Sequence, residues 1–315
     1  GSHACRMLRA GGFSPVAFDN LSTGHADAVS PLIRGDVRDR TALVDAMRAH
    51  KVDAVMHFAA SAYVGESMVK PLDYYDNNVS GMISLLSACR EAGVARVVFS
   101  SSCATYGIPD ALPIRETTPQ RPINPYGRTK LICEDMLRDF DAAYALAHVA
   151  LRYFNAAGAD PSGALAERHS PETHLIPLAL RAASGQAGPL AIFGTDYDTP
   201  DGTCIRDYIH VDDLARAHVM ALQYLLEGKP SVALNLGSGT GLSVRQILTA
   251  IEKRTGKPVP AHEHPRRPGD PPVLTADPTL AANVLGFRTR LSDIDTIIKH
   301  AAPWFGLEIS HASAD

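Results

Sequence analysis

Asn124-Pro125-Tyr126-Gly127-Arg128-Thr129-Lys130 holds the residue types and spacing with the most chemistry in them. Asn124 suits a helix N-cap and Pro125 the first helical position, so a helix is predicted to begin there. Tyr126 and Lys130 are four apart and share a face of that helix. An ammonium beside a phenol favours the phenolate and lowers its pKa. A phenol tuned in this way is a general base for a hydroxyl proton near neutral pH. A surface tyrosine next to a solvated lysine is the bland alternative, and the pair alone does not exclude it. The run Ser100-Ser101-Ser102 closes the apolar stretch Val97-Val98-Phe99. Ligands of α/β proteins sit at strand ends, so a hydroxyl at Ser102 could meet the phenol.

Such a set needs strands and helices in a fixed order. Val16 to Asp19, Val52 to Ala60, Arg96 to Ser101, His148 to Phe154 and Val232 to Leu236 read as strands. Amphipathic stretches near 3–10, 40–50, 77–92, 125–144, 212–226 and 243–255 read as helices. The alternation predicts an α/β fold, a Rossmann-like doubly wound parallel sheet. Residues 159–210 and 256–275 are rich in Gly, Pro, Asp and Thr and read as loop-and-helix excursions. They predict a smaller lobe interleaved with the sheet. The expected division is 1–158 for a dinucleotide-binding domain and 159–315 mainly for the lobe, with 211–240 returning to the sheet. Gly306 to Asp315 has little to pack.

A serine, a tyrosine and a lysine so placed resemble the proton-transfer set of the short-chain dehydrogenase/reductase superfamily. Asp19-Asn20-Leu21-Ser22, Gly35-Asp36-Val37, His57-Phe58-Ala59-Ala60, Val64-Gly65-Glu66-Ser67 and Tyr74-Tyr75-Asp76-Asn77-Asn78-Val79 resemble its extended branch. Leu151-Arg152-Tyr153-Phe154-Asn155, Asp201-Gly202-Thr203, Arg206-Asp207-Tyr208-Ile209-His210-Val211 and Arg267-Pro268-Gly269-Asp270 narrow the resemblance to the UDP-glucose 4-epimerase family. It implies an isomerase with NAD as bound cofactor, acting by transient oxidation at sugar C4. Ser102, Tyr126 and Lys130 would be catalytic. Gly1, Asp19, Asn20, Asp36, Val37, Phe58, Ala59, Asn77 and Phe154, with Tyr126 and Lys130, would hold NAD. Asn155, Leu175, Phe193, Arg206, Arg267 and Asp270, with Ser102 and Tyr126, would hold a UDP-sugar. The resemblance also implies a homodimer through helices near 77–92 and 125–144, to which Leu85, Leu86, Met136 and Leu137 could contribute, though they could equally face their own sheet.

Gly1 stands at the distance from Asp19 expected of the last glycine in a dinucleotide fingerprint. The first strand and the earlier glycines are then missing, and the chain as written is expected to bind NAD poorly. Some residues keep simpler readings. Asp36 could cap a helix near 39, Phe193 could be core, and Arg206-Asp207 could be a local ion pair.

Hydrophobic residues make up 45% of the 315 and charged residues 20%, which argues against disorder. The formal charge of -4 calls for neither nucleic acid nor an anionic membrane. The 5 cysteines form no CxxC pair, so reduced thiols and a cytoplasmic setting are expected. No metal is expected, since His262-Glu263-His264 reads as loop beside Pro265. Ser238 lies in no GxSxG elbow, against a hydrolase. Cys103 and Ala104 follow Ser102 where a 4,6-dehydratase carries acids. Open alternatives are a UDP-N-acetylhexosamine or UDP-pentose 4-epimerase and a non-catalytic dinucleotide-binding regulator. Leu274, small for its aligned place, implies tolerance of a bulkier sugar.

Overall fold

The run from Arg96 to Ser102 is short, β-branched in its apolar half and buried along almost its whole length. That is the signature of a central parallel strand covered on both faces. The computed structural model describes residues 1–267 and 270–310. Pro268 and Gly269 of the Arg-Pro-Gly-Asp motif, and 311–315 of the tail, lie outside the described residues.

In chain order the strands are β1 (Ala17–Asp19), β2 (Leu32–Arg34), β3 (Val55–His57), β4 (Arg96–Ser102), β5 (Ala147–Tyr153), β6 (Asn155–Ala157), β7 (Leu190–Phe193), β8 (Ile205–His210), β9 (Val232–Leu236), β10 (Gly241–Ser243), β11 (Ala261–His264) and β12 (Val273–Leu274). The main sheet runs β3-β4-β5-β9, all parallel, and β1 pairs with β2 in parallel beside it. One face is covered by helices 40–49, 81–92 and 125–144, whose Leu43, Met82, Leu86 and Leu137 join Val97 and Phe99. The other face is covered by helices 2–10, 211–226 and 279–285, through Leu8, Leu214, Leu222 and Ala281 against Val98 and Leu151. These three layers are the doubly wound arrangement that the alternating pattern predicts.

The second lobe is built on β8, with β10 antiparallel on one side, β12 parallel on the other and β6 also paired to it. A parallel β7–β11 pair and helices 175–183, 244–255 and 294–301 complete it around Ile176, Leu180, Ile247 and Ile298. The two lobes interleave further than the expected boundaries. Asn155–Ala157 already pairs with β8, while helix 279–285 packs back on the sheet.

Three expectations need correction, and one open alternative narrows. His262-Glu263-His264 is strand, not loop: β11 holds its register against β7 although its side chains face water. The described part of the tail, 307–310, does pack, with Leu307 buried in the second-lobe core and the Ser310 amide donating to the Arg254 carbonyl at 2.7 Å. Leu85, Leu86 and Leu137 are spent on the chain's own core, and Met136 packs against it. The exposed apolar residues of that region are instead Val64, Met68, Val69, Leu72 and Ile83. The expected helix near 77–92 is also irregular, because Tyr75–Ser80 winds as a π-helix before the regular turn resumes at Gly81.

Candidate active site

The helix Pro125–Tyr144 starts as its sequence dictates. The Asn124 side chain accepts from the Gly127 amide at 2.8 Å, and Pro125 takes the first turn. Gly127 has a second reason to be glycine. A Cβ there would lie 2.3 Å from the Ala104 carbonyl oxygen, so the helix N-terminus is pressed onto the turn that follows β4. That close approach is what brings Tyr126 to Ser102. Ser102 ends β4 and caps the 3-10 turn Cys103–Thr105, its Oγ accepting from the Ala104 amide at 3.2 Å. One helical turn on from Tyr126, Lys130 is buried and donates Nζ to the Ser100 carbonyl at 2.7 Å. Its ammonium lies 5.8 Å from the centre of the Tyr126 ring.

The electrostatics differ from the expectation. Burial pushes the Tyr126 phenol up to about 12, and the Ser102 hydroxyl offsets only part of that. Burial also pulls Lys130 down to about 8. In the protein alone desolvation of the phenolate dominates, and the resting phenol is neutral. Cys103 is pushed up to about 12 by burial, so it is an inert thiol and no substitute for an acid.

Sequence reasoning missed two groups here. β4 and β5 pair with Ser102 opposite Tyr153, and the Tyr153 hydroxyl bonds to Ser100 Oγ beside the triad. Behind them Glu134 accepts from Ser101 Oγ at 2.5 Å and from Arg152 Nη2 at 2.5 Å. Arg152 reaches on to the Tyr106 hydroxyl at 2.9 Å, and Tyr106 to Asn235 at 2.7 Å. This buried network braces β4, β5, β9 and the helix Pro125–Tyr144 as one unit. Only strand register could have revealed it.

The cofactor-type residues gather at the carboxyl ends of the first strands. Asp19 ends β1 and accepts from the Leu21 amide at 2.7 Å. Asn20 donates to Asp36 at 3.0 Å, and Asp36 is held by Arg38, whose hydrogen bonds keep its carboxyl far below the usual range. Asp36 does not cap the next helix; Asp39 does. Phe58 and Ala59 follow β3, and a Cβ on Gly1 would touch the Phe58 ring at 3.9 Å. Asn77 lies in the π-helical turn, a distortion common at functional sites. Val37 and Phe154 are different. Val37 is buried among Leu43, Val44 and Met82, and Phe154 among Tyr106, Ile114 and Ala276, so both side chains belong to cores.

The substrate-type residues sit on the second lobe. Arg206 pairs with Asp270, and Arg267 stacks its guanidinium 3.9 Å from the Phe193 ring centre. Phe193 ends β7 beside His264, with ring centres 5.5 Å apart. Arg266 stacks on Tyr197 at 4.3 Å, a pair the sequence did not reveal. A cavity of about 530 Å³ is lined by Ile108, Tyr197, Arg266, Arg267 and Asp270. Asn155 donates to the Asp207 carbonyl at 3.0 Å, and Leu175 opens helix 175–183. Arg206-Asp207 is no local pair. Asp207 instead accepts from Ser238, Gly239 and Ala276 amides at 2.7 to 3.1 Å, which also commits Ser238 to structure. Leu274 packs on Tyr106, Ile114 and Phe154, the cluster that joins the turn after β4 to the lobe.

Cleft, corner and lobe together match known proteins along the whole chain. A family model described as the NAD dependent epimerase/dehydratase family matches residues 1–237. A curated UDP-glucose 4-epimerase of Rhizobium meliloti (strain 1021) is 53% identical over 306 residues, covering 96% of this chain and 93% of that protein. The solved UDP-glucose 4-epimerase from Brucella ovis in complex with NAD is 57% identical with a TM-score of 0.96, covering 98% of this chain and 96% of that one. The one from Bifidobacterium longum in complex with NAD+ and UDP is 37% identical with a TM-score of 0.92, covering 96% and 94%. With a family match over three quarters of its length and a relative this similar, the chain belongs to the NAD dependent epimerase/dehydratase family.

Proposed function

We propose that the chain is an NAD-dependent UDP-glucose 4-epimerase that interconverts UDP-glucose and UDP-galactose. The observation that carries this reading is the buried corner of Ser102, Tyr126 and Lys130, in a chain that also has carboxylate-bearing strand ends and an arginine-lined cavity. The three relatives named above, each matched over more than nine tenths of both chains, are UDP-glucose 4-epimerases, and two of them were solved with NAD.

The residues present fit NAD. Lys130 is a buried ammonium with a single protein acceptor, so its remaining N–H groups suit a ribose diol. Asp19 offers a carboxylate at the end of β1, the place of the adenosine ribose in such folds. When bound, NAD would supply the hydride acceptor and donor for sugar C4 and a positive charge. Tyr126 Oη takes the proton of the sugar 4-hydroxyl and gives it back. Ser102 Oγ donates to the same oxygen and holds it against the phenol. Lys130 orients the ribose and favours the phenolate. Arg206 and Arg267 offer forked cations to the pyrophosphate, and the Phe193 ring a surface to the uracil. Anchoring by the nucleotide leaves the sugar free to turn between the two half-reactions.

The dehydratase alternative has no support, because Cys103 is neutral and Ala104 carries no acid. The regulator alternative is disfavoured by the intact corner. A homodimer belongs to the proposal, supported by Val69 and Leu72, each 77% exposed, beside Val64, Met68 and Ile83. Sedimentation velocity checks it: a species of one chain's mass at micromolar concentration contradicts it. Among the described residues no helix is long and apolar enough to cross a membrane, and the free cysteines support a reducing, cytoplasmic setting.

Proton NMR of UDP-galactose incubated with the protein and NAD tests the activity. The anomeric signal of UDP-glucose is expected to grow to equilibrium. Its absence overturns the assignment.

A further inference from the structure

We propose that Glu167, His169, Glu172 and His174 bind one zinc-like divalent cation that clamps the loop between the lobes. Each residue contributes one donor atom, and the four donors lie within 4.8 Å of one another. The expectation of no metal rests on His262-Glu263-His264 alone; Glu-x-His-x-x-Glu-x-His lies in a loop and is not singled out there.

Hydrogen bonding among the four does not satisfy them. An imidazole Nδ1–H can serve one acceptor well. Both Nδ1 atoms crowd the same oxygen, Glu167 Oε1, at 3.0 Å from His169 and 2.7 Å from His174. Meanwhile the Glu172 side chain is only 1% exposed, and its Oε2 faces His169 Nδ1 at 3.6 Å without a hydrogen bond. His169 Nδ1 is itself without a hydrogen-bond partner. Two buried polar atoms left unmatched beside two imidazoles and two carboxylates are costly in a protein. A cation at their centre uses one atom from each and removes both defects.

The donor set selects the ion class. Two imidazoles with two carboxylates suit Zn²⁺, which takes N and O ligands at about 2.0–2.2 Å in a tetrahedron. Hard cations such as Mg²⁺ prefer all-oxygen shells. Four protein ligands close the shell, so the ion is structural. Its place explains what it would hold. Arg168, inside the cluster, bonds Asp27 at 2.9 Å, and its carbonyl meets His25 at 2.8 Å. His169 also stands edge-on to Tyr63, with ring centres 6.1 Å apart. Immediately after His174, Leu175 begins the helix of the second lobe. The clamp would thus fix the start of that helix against the nucleotide-binding side.

The test uses the full chain. Protein incubated with ZnCl₂ and desalted is assayed for zinc by atomic emission, and metal-free protein is titrated with CoCl₂ in the visible region. About one zinc per chain and the strong absorption of tetrahedral cobalt are expected. Both should fall at least tenfold in His169→Gln and in Glu172→Gln, with far-ultraviolet circular dichroism unchanged. A His262→Gln/His264→Gln variant should retain both. Wild-type protein that keeps no zinc, or gives only the weak spectrum of octahedral cobalt, overturns the proposal. So does full retention by both single variants. The wild-type cobalt spectrum decides the matter even if a variant fails to fold.

Discussion

The corner where β4 meets helix 125–144 and the lobe around β8 hold their functional side chains by different means. In the corner, backbone contact sets position. Gly127 lies against the Ala104 carbonyl, Lys130 on the Ser100 carbonyl, and the Glu134–Arg152 pair ties both elements from behind. In the lobe, side chains hold one another: Arg206 on Asp270, Arg267 on Phe193, Arg266 on Tyr197. The difference follows from the tasks. Proton transfer tolerates little displacement, so it is placed on regular elements. Gripping a nucleotide needs cations and rings that can adjust.

Variants that break the corner should therefore act on rate when they remove the reacting atom and on stability when they remove its support, in a set order. Tyr126→Phe removes the proton-transfer atom and is expected to cut kcat by about 10³-fold, within the range for general acid–base groups. Steady-state rates check it, with NAD retention showing that the fold survives. Glu134→Gln leaves Arg152 buried without its counter-ion and should cost roughly 3–5 kcal/mol in urea unfolding. Its rate under folding conditions should stay within a few-fold of wild type.

Lys130 gives the next effect. Its folded value, about 8, lies below the 10.5 of the free side chain, so the folded state sheds that proton first as pH rises. The stability it leaves intact is complete above pH 10.5 and is lost as pH falls through 8. Nucleotide-free Lys130→Met should therefore be more stable than wild type by about 3 kcal/mol at neutral pH. The gap should close between pH 8 and 10.5 in denaturation curves; a gap independent of pH contradicts the assigned burial. Gly127→Ala is the smallest change. Its Cβ would meet the Ala104 oxygen at 2.3 Å, so the helix must move. A loss of about 1–3 kcal/mol is expected in thermal unfolding.

The same contrast governs what the sequence could reveal. Tyr126 and Lys130 were legible because helical spacing is local, and Ser102 because it ends an apolar strand. The Glu134–Arg152–Tyr106–Asn235 network was not, because it joins elements distant in sequence through strand register. The alternative that Arg206 and Asp207 form a local pair stayed open in the sequence and fails in the fold, since strand neighbours point to opposite faces. β11 was missed because an exposed polar strand carries no apolar alternation. Leu85, Leu86 and Leu137 were ambiguous, since a helix face alone does not say which neighbour covers it.

The division of labour between corner and lobe is tested most directly by progress curves from UDP-galactose, at saturating and at limiting concentration, for Tyr126→Phe and Arg206→Ala. Tyr126→Phe should be slow at both concentrations. Arg206→Ala should be slow only when substrate is limiting, with KM raised by about 10–100-fold and kcat nearly kept. An Arg206→Ala variant that stays slow at saturation, or a Tyr126→Phe variant near wild-type rate at either concentration, would contradict the account.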